Sequence, residues 1–184
     1  MDHYQDIRLL PDPDFVPQQL MSALFAKLHR ALAQAGMQRI GVSFPHFKRD
    51  LGDTLRLHGS AEDLAQLQQS AWLKGMRDHI VLSEISSVPL AVQYRVVRRV
   101  QVKSSAERLR RRSVKKGWLT EEQASERIPY AAEQRSQLPY IQLKSASTRQ
   151  NFLLFIEHGP LLNEAHSGTF SAYGLSATAT IPWF

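Results

Sequence analysis

The chain contains no cysteine, which excludes disulfide staples and thiolate metal sites. No apolar run approaches the roughly 20 residues that a membrane-spanning helix needs, so no membrane association is expected. The opening stretch MDHYQDIRLL is acidic and alternating, unlike a signal or transit peptide, and a cytoplasmic location is the expectation. Low-complexity tracts are missing, and so are internal repeats of helical-array length. There is no P-loop, no GxGxxG and no GxSxG. The seven histidines (His3, His29, His46, His58, His79, His158 and His166) form no HxxxH or HxH pair and have no acid at ligand spacing. Neither a metal nor a cofactor is therefore expected. An enzyme built from this inventory would work with histidine, serine and tyrosine.

What the chain does have is positive charge in one place. Residues 95–116 hold Arg95, Arg98, Arg99, Lys103, Arg108, Arg110, Arg111, Arg112, Lys115 and Lys116 against a single acid, Glu107, although the whole chain is only +6. The remainder is thus net acidic, and the stretch reads as a footprint for a polyanion. Val96, Val97, Val100 and Val102 give its first part strand character, with Arg99 and Gln101 on one face of the pleat. Ser104 to Glu107 fits a capping box, and a basic helix over 105–116 would stop at Gly117. Leu109 and Val114, five positions apart, make no core-facing seam. Arg108, Arg111, Arg112 and Lys115 share a face, widened by Arg110 and Lys116. A charge run is ordinarily a solvated face. Like charges at i, i+3 and i+4 repel, however, and a phosphate backbone explains better why they are gathered.

With 184 residues and 43% hydrophobic content, the chain can bury one sizeable core or two small ones. Tyr4, Ile7 and Leu9 predict a strand over about 2–9, ended by Pro11-Asp12-Pro13. Pro17 opens a helix with the stripe Leu20, Leu24, Leu28, Ala31 and Ala35, and Gly36 stops it. Arg39 to Phe44 alternates as a second strand, and Leu55 and Leu57 mark a third. Ser60 to Asp63 resembles a capping box before a helix carrying Leu64, Leu67 and Trp72. Ile80 and Leu82 begin a fourth strand. The order β-α-β-β-α-β is the ferredoxin-like unit, and its helix layer would leave the other sheet face, or an edge, for a ligand. The expected fold class is therefore α+β: a ferredoxin-like domain at 1–92, then a second α+β domain at 93–184 carrying the arginine-rich helix. In that second half Thr120 to Gln123 opens a short helix to about Arg127. Tyr140–Lys144 and Asn151–Glu157 predict two strands, and 169–184 alternates enough for one or two more around Tyr173 to Ser176.

His29 lies about 100° from Leu28, at the border of the polar face of its helix. A border histidine is ordinarily a surface or capping residue, yet a general base also needs a packed helix beneath a ring that meets substrate. Ser145, Ser147 and Thr148 read by default as loop hydroxyls, Phe152 as core packing, and Tyr173 as a half-buried strand tyrosine.

The segments MDHYQDIRLLPDPDF, MSALFAKLH, RIGVSFP, RVQVKSSAERLRRR, HGP, YGLS and the terminal PWF together resemble the CRISPR repeat-RNA processing endoribonucleases of the type I-F systems, over nearly the full length. The resemblance implies cleavage of a precursor transcript at the foot of each repeat hairpin, without metal, leaving 2′,3′-cyclic phosphate and 5′-hydroxyl ends. It also implies retention of the product hairpin and association with the other subunits of an RNA-guided surveillance complex. His29 stands where that family has its catalytic histidine, Ser145 where a serine holds the attacking 2′-hydroxyl, and Tyr173 where a tyrosine helps place the histidine. Arg99 and Gln101 match the pair that reads bases of the lower stem, and Phe152 an aromatic that stacks under the terminal base pair. Arg108, Arg111, Arg112, Lys115 and Lys116 carry over as phosphate contacts. Lys115 and Lys116 depart from an all-arginine run and would bind phosphate as point charges rather than forks. A basic helix in the deep, narrow A-form major groove requires the groove to open, or the helix to read mainly phosphates. Two other readings stay open on the residues: a hairpin-binding subunit that does not cut, and a DNA-binding domain.

Overall fold

The computed structural model describes residues 1–101, 106–128, 137–145 and 149–184, with the side chains of 106–108 outside that description. Two compact units emerge, one made of 1–100 together with 138–184, the other of 101–137.

In the first unit β1 (His3–Leu9), α1 (Pro17–Ala35), β2 (Gly41–Ser43), β3 (Thr54–Gly59), α2 (Ala61–Gln69) and β4 (Ile80–Leu82) follow one another, with a short β5 (Ser86–Ser87) continuing the β4 edge. The strands pair antiparallel in the order β2-β3-β1-β4. That is the ferredoxin-like split β-α-β arrangement expected from the order of elements. Local chemistry accounts for the helix ends. Pro17 occupies the first turn of α1, and Gly36 closes it at φ 63°, in the left-handed region where a missing Cβ removes the steric penalty. Ser60 caps α2 by accepting from the Asp63 amide, but Asp63 takes the Ser60 hydroxyl proton instead of reaching back to the Ser60 amide. The resemblance to a capping box is therefore half realised.

Two expectations for this half change. The core face of β1 consists of Gln5, Ile7 and Leu9, because the period of two that buries Ile7 sends Tyr4 to the opposite face. Gln5 tolerates burial by donating to the Ser83 carbonyl and accepting from the Gln68 amide. Similarly, β3 is buried on both faces: Leu55 and Leu57 face the helices' side, while Thr54, Arg56 and His58 face the other. That second face is covered by the chain's own C-terminus. Arg56 holds Asp6 bidentately (2.7 and 2.9 Å), donates to the Phe184 carbonyl, and lies 4.2 Å from the Phe184 ring. Phe184 of the same chain thus covers part of the sheet face that, as an alternative to an edge, was expected to be left for a ligand.

The same unit contains a second antiparallel sheet, formed by β6 (Gln93–Val100), and, after the other unit's α3 (Ala106–Lys115) and α4 (Glu121–Arg127), by β7 (Tyr140–Lys144), β8 (Asn151–His158) and β9 (Thr180–Trp183), in the order β7-β8-β6-β9. The long strand β6 pairs with β9 through Gln93–Val96 and with β8 through Val97–Val100. One continuous core runs through both sheets: Leu28 and Leu55 belong to it together with Ile141, Leu154, Ile156 and Ile181. A boundary near residue 92 thus marks where the second sheet begins, whereas the compact units divide around 101–137. Tyr173 and Gly174 fall in a turn, with Gly174 at φ 67°, and not in a strand, since the tail contributes β9 alone among the described residues.

In the second unit α3 ends at Gly117 (φ 68°), with the Trp118 amide donating back to Ser113. Thr120 and Gln123 form the reciprocal capping box of α4. Helices α3 and α4 pack on each other, so α3 does have a partner face despite its weak seam: Leu109 and Val114 are half-buried and Ala124 is buried. The capping box at Ser104 to Glu107 lies outside the described residues. No helix among the described residues is long and apolar enough to cross a membrane.

Candidate functional site

In the first unit a cleft of about 970 Å³ opens where the middle of α1 meets the β7–β8 turn and the segment before Leu175. It brings together five of the residues singled out from the sequence: His29, Arg99, Ser145, Phe152 and Tyr173. Their arrival from four distant parts of the chain has simple local causes. His29 follows the buried Leu28 on a helix fixed by seven core side chains, which leaves its ring half-exposed at the helix border. Arg99 lies two residues past buried Val97 on β6, and therefore stands one full pleat away on the same face. Ser145 sits at the end of β7. Its amide donates to the Gln150 carbonyl and its carbonyl accepts from the Arg149 amide (both 2.9 Å), which closes the link into β8.

The histidine has a definite orientation. Nδ1–H donates to the Ala172 carbonyl at 2.9 Å, a bond that fixes the tautomer and leaves the lone pair on Nε2. Its ring stacks on Tyr173 with centroids 4.0 Å apart and planes 12° from parallel. The Tyr173 ring lies parallel to Phe25 as well, at 6.3 Å and 6°. The guanidinium carbon of Arg99 lies 5.9 Å from the Phe152 ring and 5.9 Å from the Tyr173 ring, within cation–π range of both. Phe152 is accordingly not simple core filling: it is half-buried and forms part of the cleft wall.

The Ala172 carbonyl has no sequence signal, and Arg30, Lys144 and Arg149 also line the cleft without having stood out from the sequence. Lys144 could have been found, because strand alternation from buried Leu143 turns it outward beside Ser145. Arg30, Arg99, Lys144 and Arg149 make the cleft wall strongly cationic, and no carboxylate lines it among the described residues. Such a wall favours an anionic ligand and disfavours an acidic one-metal or two-metal substrate cradle of the carboxylate type.

Several of the clustered cations have other commitments. Arg98 forms a bidentate pair with Glu157, its direct cross-strand neighbour, which raises the arginine above its ordinary pKa. Arg95 lies between the Phe47 and Trp183 rings, 5.5 and 4.4 Å from their centroids, and burial lowers its pKa. Within the second unit Arg110 donates to the Ser125 and Ile128 carbonyls and so closes the end of α4. It belongs to the helix pair rather than to the exposed face that the sequence suggested. Arg111, Arg112, Lys115 and Lys116 are exposed on that unit, as is Gln101 at its start. The side chain of Arg108, and Ser147 and Thr148, lie outside the described residues.

Four of the other histidines make contacts within the fold. His46 pairs with Asp53 at 2.7 Å and His79 with Asp12 at 2.8 Å, partners hidden by sequence distance. His58 is fully buried against Ser43 (2.8 Å), and burial pushes it down to about 3, with Arg56 adding to the effect. His158 stacks on Phe47 at 3.8 Å and is likewise pushed down to about 3 by burial, then by Arg95.

Comparison with known proteins adds the relationship. A family model described as CRISPR-associated protein (Cas_Csy4) matches residues 4–184. A CRISPR-associated endonuclease Cas6/Csy4 of Escherichia coli (strain UTI89 / UPEC) is 59% identical over 184 residues, which cover 100% of both chains. A second protein of that description, from Pseudomonas aeruginosa (strain UCBPP-PA14), is 52% identical over 187 residues, again covering 100% of each.

Proposed function

The chain belongs to the CRISPR-associated Cas_Csy4 family, and on that premise we propose that it is an endoribonuclease that cuts precursor CRISPR RNA at the base of the repeat stem-loop. The observation that carries this reading is a histidine whose Nδ1–H is tied to Ala172, leaving Nε2 basic, in a cleft lined by four cations and, among the described residues, no acid.

The nucleophile comes from the substrate. The 2′-hydroxyl next to the scissile phosphate loses its proton to Nε2 of His29 and attacks phosphorus. The bond to the 5′-oxygen breaks as the bond to the 2′-oxygen forms, the leaving oxygen takes up a proton from solvent, and His29 releases its own to solvent to complete the cycle. The products are a 2′,3′-cyclic phosphate and a 5′-hydroxyl. Because no water has to be activated, the route needs no metal. Ser145 holds the 2′-hydroxyl in line, Tyr173 backs the imidazole, and the cationic wall offsets the charge that builds on the phosphate oxygens. Arg99 and Gln101 read guanine and adenine edges of the lower stem, while Phe152 stacks under its last pair. Arg108, Arg111, Arg112, Lys115 and Lys116 take phosphates. The product hairpin stays bound, and the protein serves as a subunit of a type I-F surveillance complex.

Replacing His29 by alanine should lower single-turnover cleavage by about 10²- to 10⁴-fold, the usual contribution of a positioned base, and leave hairpin affinity within a few-fold. A hairpin with hydrogen in place of the one 2′-hydroxyl at the cut should bind but give no product, and excess chelator should leave wild-type cleavage intact. Cleavage of the deoxy hairpin, or a 3′-hydroxyl product end, would show that water attacks and would overturn the mechanism.

A further inference from the structure

One turn orients His29. Ala172 contributes the carbonyl that receives Nδ1–H, and Tyr173 contributes the stacked ring. Gly174 follows them at φ 67°. Backbone bonds fasten this turn on every side. Within it Gly174 N–H donates to Ser171 at 2.8 Å and Ser171 N–H to Leu175 at 2.9 Å. Outward, Val42 N–H donates to the Gly174 carbonyl at 2.9 Å and Ser176 N–H to the Val97 carbonyl at 3.1 Å. The turn is therefore riveted to β2 on one side and to β6 on the other.

Residue 174 has no room for a side chain. A Cβ there would lie 2.6 Å from Cγ1 of Val42, while its next neighbours, the Ile40 carbonyl and the Val42 Cβ, lie at 3.4 Å. Val42 is fully buried and paired with Leu57 of β3, so a packed strand does not give way and the turn must move instead. The left-handed backbone adds a second penalty for any residue with a Cβ.

We infer that Gly174 is a positioning residue for His29: its bare backbone lets the Ser171–Gly174 turn seat against Val42 and present the Ala172 carbonyl to Nδ1, which keeps the base's lone pair on Nε2. The inference rests on His29 being the base proposed above. Relieving a 2.6 Å contact requires a displacement on the order of 1 Å, and misplacing a catalytic group by that amount costs about 10²-fold in rate. The direction of the effect is chemical as well as geometric. If the proton moves from Nδ1 to Nε2, the nitrogen facing the cleft becomes a donor and no longer accepts the 2′-hydroxyl proton.

The test uses the full chain in three variants, Gly174→Ala, Val42→Ala and the two combined. Three quantities are read: the single-turnover cleavage rate, the affinity for the deoxy-substituted hairpin, and the nitrogen-15 long-range correlation spectrum of His29, identified by its loss in His29→Ala. In wild type the spectrum should show the Nδ1–H form. Gly174→Ala should cut about 10²-fold more slowly, keep its affinity within a few-fold, and lose the pure Nδ1–H pattern. Val42→Ala alone should retain the rate. The double variant should regain part of the rate and of the pattern, because the one contact below 3.4 Å is gone while the left-handed backbone penalty remains. Should Gly174→Ala fail to fold, the double variant compared with Val42→Ala carries the test. A wild-type rate and pattern in Gly174→Ala would overturn the inference, and so would a folded double variant that stays slow with a displaced tautomer. If the wild-type protein cuts no RNA, the proposed function falls, and the spectra alone decide the role of Gly174.

Discussion

Exchanging Tyr173 for phenylalanine and for leucine separates a stacking platform from a proton donor. The tyrosine ring lies 4.0 Å from His29 and 12° from its plane, and backs onto Phe25 at 6.3 Å. His29 is thus held by one hydrogen bond and one ring contact. An aromatic pair contributes about 0.5–1.5 kcal/mol beyond its buried area, which corresponds to roughly two- to thirteen-fold in the population of the correctly placed ring. Leucine removes that contact, so the cleavage step should slow by about that factor. It also removes one of the two rings beside Arg99, each 5.9 Å away. At an exposed site such a contact contributes about 0.5–1 kcal/mol, so cognate affinity should fall roughly two- to fivefold. Phenylalanine keeps both rings and should behave like wild type within about twofold. Single-turnover cleavage at saturating protein reads the first effect, and titration of the deoxy hairpin reads the second. A Tyr173→Phe variant as slow as His29→Ala would mean that the phenol transfers a proton. A Tyr173→Leu variant with wild-type rate would mean that the stack does not hold the histidine.

Arg110→Ala should weaken hairpin binding through the helix pair, with reduced amide protection in α4, while the salt slope stays unchanged. Lys115→Ala should instead reduce that slope by about 0.7–0.9, and an equal slope loss in both variants would refute the assignment of Arg110 to the end of α4. Acid should destabilise the fold through His58. Its folded pKa is about 3 against an ordinary 6.5, so the unfolded chain binds the extra proton in that window. The contribution is fully present above pH 6.5 and is lost as pH falls towards 3. Urea unfolding across that range should show a flatter dependence in the Ser43→Ala/His58→Leu double variant, which removes both buried partners together. An unchanged slope would show that His58 is not the group responsible.

Whatever depends on short-range periodicity is legible in the sequence alone. The β-α-β-β-α-β order, the ends of α1 at Pro17 and Gly36, the start of α4 at Thr120 and the boundaries of β7 all follow from patterns a few residues long, which act the same way in any fold. Candidate site residues were legible partly from pattern and mostly from resemblance, since His29, taken alone, is one border histidine among seven. Only tertiary structure decided which groups meet. Arg98 is paired because β8 places Glu157 directly opposite it, and Tyr4, which the strand period turns away from Ile7, is covered on that face because the tail returns Phe184 to it and to Arg56. The cleft exists because α1, β6, the β7–β8 link and the Ser171–Gly174 turn converge from distant positions. Its most specific feature, the carbonyl that sets the His29 tautomer, is a backbone atom of Ala172, 143 residues away in the chain. A side-chain pattern cannot encode the direction of a carbonyl; that direction follows from how a turn packs, here against a single valine.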